Sequence, residues 1–184
     1  VTVYGGYTAN ISGQEQAVKD TDERWYRILT NTDYEKPDMG YYIGWKSGGV
    51  KATYYIQVDL GAEKKLTEIS FMPYRNQQSA WYFGTTYRIY VSNDESFEES
   101  REVTSGSITV KIGEFATYTF NDSDNMNYRY VRFAHKDDVT VGATKVIVKG
   151  YTDPFGKWDI PSVSGEGSYD VSLGADSSAD GEEY

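Results

Sequence analysis

Residues Tyr54 to Phe71 read YYIQVDLGAEKKLTEISF, and this stretch decides the fold class. Ile56, Val58 and Leu60 alternate with Tyr55, Gln57 and Asp59, so an extended chain here carries one apolar face and one polar face. That is the pattern of a half-buried β-strand. Gly61 breaks it, Glu63, Lys64 and Lys65 cover a turn, and period-two alternation resumes with Ile69 and Phe71 until Pro73 ends the run. The segment reads as two strands joined by a tight polar connection.

The same alternation recurs outward from this pair. Tyr87, Ile89 and Val91 form a strand that closes at Ser92, Asn93 and Asp94; Ile108, Val110 and Ile112 alternate up to Gly113; Phe115 to Phe120 forms the next strand. An Asn/Asp turn cluster at Asn121 to Asn127 precedes Val131 and Phe133, and Val146 with Val148 complete the series. On the N-terminal side, Val1 to Ser12 reads as an extended entry segment punctuated by Gly5 and Gly6. Gln14 to Leu29, with apolar Ala17, Val18, Trp25, Ile28 and Leu29, admits one helical turn followed by a strand or loop. Short strands between turn clusters, with no sustained helical period and no fixed internal repeat, predict an all-β sandwich.

The wording of these strands resembles a known family. IQVDLG followed by LTEISF, then YRIYVSND at Tyr87 to Asp94 and YRYVRF at Tyr128 to Phe133, is similar to the discoidin-like family, or coagulation factor V/VIII type C domains, over about Ala17 to Gly150. Bacterial members of that family are carbohydrate-binding modules on secreted glycosidases. The resemblance implies a jelly-roll β-sandwich of the galactose-binding-domain type, with Phe97 as a buried aromatic. We expect the sandwich to occupy residues 1–160 and an acidic tail or linker residues 161–184, since PSVSGEGSYDVSLGADSSADGEEY carries six acidic and no basic residues among many Ser and Gly.

Composition excludes several functions. The 184 residues include no cysteine and a single histidine, His135, so a thiolate or multi-histidine zinc site is ruled out and a Ser-His-Asp arrangement would hang on one residue. No G-x-S-x-G, phosphate loop or dinucleotide fingerprint occurs. With 18 Lys+Arg against 28 Asp+Glu, the net charge of −10 repels phosphate backbones and anionic lipid, which argues against nucleic acid and membrane insertion. No apolar run is long enough for a membrane helix and no signal-peptide pattern opens the chain; starting at Val1 rather than Met, it reads as a mature or excised piece. A binding role remains, and 18 tyrosines supply its material: rings that suit strands and half-exposed surfaces.

A pyranose offers an apolar C–H face that stacks on an exposed ring, and hydroxyls that pair with Arg, Asn, His and Asp. The connection Tyr74 to Gly84 (YRNQQSAWYFG) holds a planar donor in Arg75, an amide in Asn76 and the three-ring run Trp81-Tyr82-Phe83, and in sugar-binding relatives it carries an Arg on the hydroxyls. Arg75 and Asn76 are therefore the expected hydrogen-bonding residues and Trp81 the stacking ring. The competing reading makes Trp81, Tyr82 and Phe83 core residues of the next strand and Arg75 a solvated charge. The long loop Asn31 to Gly49 brings Tyr41, Tyr42 and Trp45, of which Tyr42 and Trp45 are expected to form an opposite wall if that loop shares an end of the sandwich with Arg75; otherwise they cap the sheet. His135 follows a strand and precedes Lys136, Asp137 and Asp138, which places it on an exposed turn as a further sugar-contact candidate.

The resemblance also implies a structural calcium, held by an Asp of the first loop, nearby main-chain oxygens and a last-strand Glu. Asp20 and Asp22 are the candidate ligands. The departures are the spacing to Trp25 and Lys145, which stands about where the Glu is expected and whose ammonium would replace the ion. The sequence thus reads as a non-catalytic, extracellular or cell-surface carbohydrate-binding module, bacterial in type, that targets a larger protein with linked catalytic or adhesion domains to glycans of galactose or hexosamine type. The rival is a protein-binding adhesion module that uses the same aromatic loops.

Overall fold

Alternating and β-branched residues place most of the described residues in strands, and glycines and short polar runs set where the chain turns. The computed structural model describes residues 1–32, 40–43, 52–74, 86–104, 108–109, 113–121, 126–135 and 141–152. In chain order the elements are β1 (Thr2–Ile11), β2 (Gln14–Asp20), a 3-10 turn (Glu23–Tyr26), α1 (Arg27–Thr30), β3 (Tyr41–Ile43), β4 (Ala52–Pro73), β5 (Thr86–Ser92), β6 (Arg101–Glu102), β7 (Ile108–Thr109), β8 (Ala116–Thr119), β9 (Asn127–His135) and β10 (Val141–Tyr151).

The decisive stretch is one strand rather than two. β4 runs unbroken for 22 residues and belongs to both layers of the sandwich. Its first half pairs antiparallel with β1 and β9, its second half with β8 and β10. The alternation marks the inward positions as expected, but in place of a tight connection Gly61, at φ 80°, bends one strand from one layer into the other. Asp59 pins the bend by accepting the Gly61 N–H at 2.8 Å and a two-pronged Arg129 guanidinium at 2.9 and 3.0 Å. One layer therefore runs β2, β1, β4, β9, β5 with β6 and β7 on β5, and the other runs β3, β10, β4, β8. This is the expected jelly-roll β-sandwich.

Two further expectations change. Gln14 to Asp20 forms a full edge strand, joined to β1 by a two-residue turn in which Ser12 and Gly13 both take positive φ, as a hairpin of right-handed strands requires. The helical turn arrives only at Glu23, after Asp22 caps it by accepting the Arg24 N–H. Within the expected loop Asn31 to Gly49, Tyr41–Ile43 pairs with the start of β10.

The inner faces interdigitate. Ile56, Val58, Ile69, Phe71, Tyr87, Ile89, Val91, Val131 and Phe133 are inaccessible to solvent, and Phe71 of one layer packs on Phe133 and Tyr87 of the other, with centroids 5.0 and 4.5 Å away. Truncating such a side chain costs about 2–5 kcal/mol. Trp25 closes the side of the sandwich beneath Gly5, where a Cβ would sit 2.1 Å from the indole Cζ2.

The outer face of β4 is polar and covered. Arg132 lies flat between the Tyr55 and Phe97 rings, 3.9 Å from each centroid, and gives two hydrogen bonds to Gln57 Oε1. Gln57 in turn donates to the Tyr4 hydroxyl, which donates to Glu95, itself bridged by Lys19. Phe97 is buried, as the resemblance implied, at a positive φ of 65°. No helix among the described residues is long and apolar enough to cross a membrane.

Candidate functional site

Strand register brings several chain exits to one end of the sandwich. Ile43, the last residue of β3, pairs with Val141, the first of β10; Pro73, at the end of β4, pairs with Ala143. In the other layer, His135 ends β9 opposite Tyr87, with Ala134 against Tyr55 near the start of β4. The described strand ends Ile43, Pro73 and His135 thus lie at the same end of the sandwich.

Tyr42 is the predicted residue that the structure describes most fully there. Alternation on β3 buries Tyr41 and Ile43 and turns Tyr42 outward, 41% exposed. Its ring stands 5.4 Å from that of Tyr74, tilted by 37°. Gly142 makes room for the pair, since a Cβ there would meet the Tyr42 and Tyr74 Cβ atoms at 2.6 and 2.9 Å. Tyr74 is fixed by its own N–H, which donates to the Gly142 carbonyl at 3.0 Å. No local signal marks Tyr74, since neither Pro73 before it nor Arg75 after it indicates a ring packed on a distant glycine.

His135 closes β9 in register with Tyr87, a strand residue rather than one on the turn beyond. Arg75, Asn76, Trp81, Trp45 and the side chain of His135 lie outside the described residues.

The implied calcium can be tested against its donors. Both Asp22 oxygens are engaged: Oδ1 accepts the Arg24 N–H and Nε at 2.9 and 2.8 Å, and Oδ2 accepts Arg24 Nη2 at 2.6 Å and the Tyr41 hydroxyl at 3.1 Å. The hydrogen bonds from Arg24 hold the Asp22 carboxyl well below the usual carboxylate range, while burial and Asp22 push the Tyr41 phenol up to about 12. Asp20 Oδ1 accepts the Asp22 N–H at 3.3 Å. Lys145, on β10, donates to the Leu29 carbonyl at 2.5 Å. No group of three or more His, Cys, Asp or Glu among the described residues is arranged to hold a metal. A hard cation wanting six to eight oxygens does not fit this donor set.

At the opposite end, beside Leu60 and the Gly61 bend, a pocket of about 280 Å³ opens between Val1, Tyr26, Leu29, Thr30, Val58, Leu60 and Val148. Its lining is mainly apolar, with hydroxyls only on Tyr26 and Thr30 among its side chains, so the Tyr42 end is the better glycan candidate.

The chain belongs to the F5/8 type C domain family, whose model matches residues 10–146. Among solved structures it is similar to CBM62 of Clostridium thermocellum Xyl5A, at 13% identity over 82% of this chain and 94% of that one, with a TM-score of 0.51. It is similar to a fucolectin from striped bass (Morone saxatilis) serum at 17% identity over 83% of this chain and 48% of that one, with a TM-score of 0.56. An F5/8 type C domain from Bacteroides fragilis aligns at 12% identity over 82% of this chain and 91% of that one, with a TM-score of 0.51. No curated protein matches the chain. At these identities the likeness shows a shared fold.

Proposed function

We propose that this chain is a non-catalytic carbohydrate-binding module that directs a larger secreted or surface protein onto glycans. The observation that carries this reading is the outward Tyr42 ring, buttressed by Tyr74 at the end of the sandwich from which the other candidate residues leave β3, β4 and β9. An exposed ring held rigidly by a neighbour is what the C–H face of a pyranose stacks on. Arg75 and Asn76 follow Tyr74 directly in sequence and supply hydroxyl contacts, with Trp81, Trp45 and His135 completing the wall. Family membership and a fold shared with a carbohydrate-binding module and a fucolectin support the same reading.

The ligand is a glycan of galactose or hexosamine type. Few contacts on a shallow surface give weak single-site binding, which linked domains and repeated ligands offset through effective concentration. A glycan-array screen of the chain beside its Tyr42→Ala and Arg75→Ala variants tests this. We expect selective binding, weakened about five- to tenfold by loss of the stacking ring. Arg75→Ala abolishes binding with the melting temperature unchanged. Silence of the folded protein across a broad array overturns the reading and favours the protein-adhesion role of the same surface.

A further inference from the structure

Between the short helix and the last strand, a lysine sits where the family resemblance calls for a carboxylate beside a metal ion. Lys145 is 9% exposed, and its ammonium reaches the Leu29 main-chain oxygen near the end of α1, where helix carbonyls lack backbone partners. Next to it, the register shift between Ala143 and Lys145 leaves the Thr144 carbonyl to the side chain of buried Asn31, which donates to it at 3.3 Å. Both bonds tie the end of α1 to β10. Asp22, the carboxylate that caps the 3-10 turn ahead of the helix, is held by Arg24 and Tyr41.

We infer that two side-chain cations, Lys145 on the Leu29 carbonyl and Arg24 on Asp22, take the place of a structural calcium in this chain, which makes the domain independent of divalent metal. The physics favours substitution over coexistence. A divalent ion beside a half-buried ammonium meets like-charge repulsion at low effective dielectric, and recruiting Asp22 means stripping it of a two-pronged guanidinium. A tethered ammonium also needs no ion capture, so the seat of α1 on β10 forms with the fold itself and persists where calcium is scarce.

Thermal unfolding of the full chain tests this in chelator and in calcium raised about tenfold above the millimolar dissociation constants of extracellular calcium modules. The expected result is one melting temperature in both. Lys145→Met should lower it by about 3 to 12 °C in both conditions alike, the span of one charge-assisted hydrogen bond in a domain of this size. A fall in the melting temperature of the unmutated chain on chelation overturns the inference, as does an unchanged melting temperature of Lys145→Met or its rescue by calcium. Should Lys145→Met fail to fold, calorimetric titration of the unmutated chain with calcium decides: no saturable heat supports the inference, and one-to-one binding overturns it.

Discussion

The rings of Tyr42 and Tyr74 lie 5.4 Å apart across Gly142, although 32 positions separate the two tyrosines and a further 68 separate Tyr74 from the glycine. A Cβ at position 142 would press on the Cβ atoms of both, the stiff ends of their side chains, so the strands themselves would have to part. Gly142→Ala should therefore cost about 1–3 kcal/mol and splay the pair. Chemical denaturation checks the stability, and the glycan screen should show weaker binding at temperatures where the variant is still folded.

The outer face offers a sharper chemical test. Arg132 is stacked between Tyr55 and Phe97 and forked onto Gln57, and a lysine can reproduce neither the planar stack nor the paired donors. Arg132→Lys, which preserves charge, should still cost about 1–3 kcal/mol. Phe97 would then lose its stacked guanidinium and keep only the edge contact with Tyr130, so limited proteolysis should find the Asp94 to Glu99 segment cut faster in the variant.

The bend of β4 should contribute to acid sensitivity. Hydrogen bonds from Arg129 hold the Asp59 carboxyl below its ordinary value. A carboxylate depressed in the folded state contributes stability above its unfolded pKa of about 3.9 and loses that contribution as pH falls through the folded value. Arg129 is 41% exposed, so solvent screening keeps the pair's contribution small. Asp59→Asn should flatten the fall in stability below about pH 4, read from urea midpoints across that range, and high salt should reduce the difference between the two proteins.

Trp25 should prove the most sensitive single core position. It is fully buried, and its indole N–H makes no hydrogen bond. Trp25→Phe then loses volume alone, whereas Trp25→Ala opens a cavity costing about 3–5 kcal/mol. Gly5→Ala should approach the second variant rather than the first, because its Cβ lands on the indole ring. Urea midpoints of the three variants give the order directly.

Much of this was legible in the chain. The alternation of Ile56, Val58 and Leu60, and of Ile69 and Phe71, marks inward positions because a strand has period two wherever it lies. The same periodicity could not tell a hairpin from a bent strand shared by two layers, since both place Gly61 between the same apolar runs. That choice belongs to the partners, β1 and β9 on one half and β8 and β10 on the other. Within the site, Tyr41 and Tyr42 read alike as rings in a turn-rich stretch, yet Tyr42 faces outward while Tyr41 packs edge-on against Trp25 and is buried. The strand pairing of β3 with β10 separates the two, and no local pattern encodes it.

By itself, then, the sequence determined what local physics can carry: which residues alternate, where glycine permits a positive φ, the sign of the net charge and the absence of cysteine. Only the tertiary structure decided which polar groups meet. Lys145 finds Leu29 across 116 positions, Arg132 finds Gln57 across 75, and Tyr42 finds Tyr74 over Gly142. Such contacts depend on register between distant strands, which is set by burying the common core rather than by the residues that end up touching.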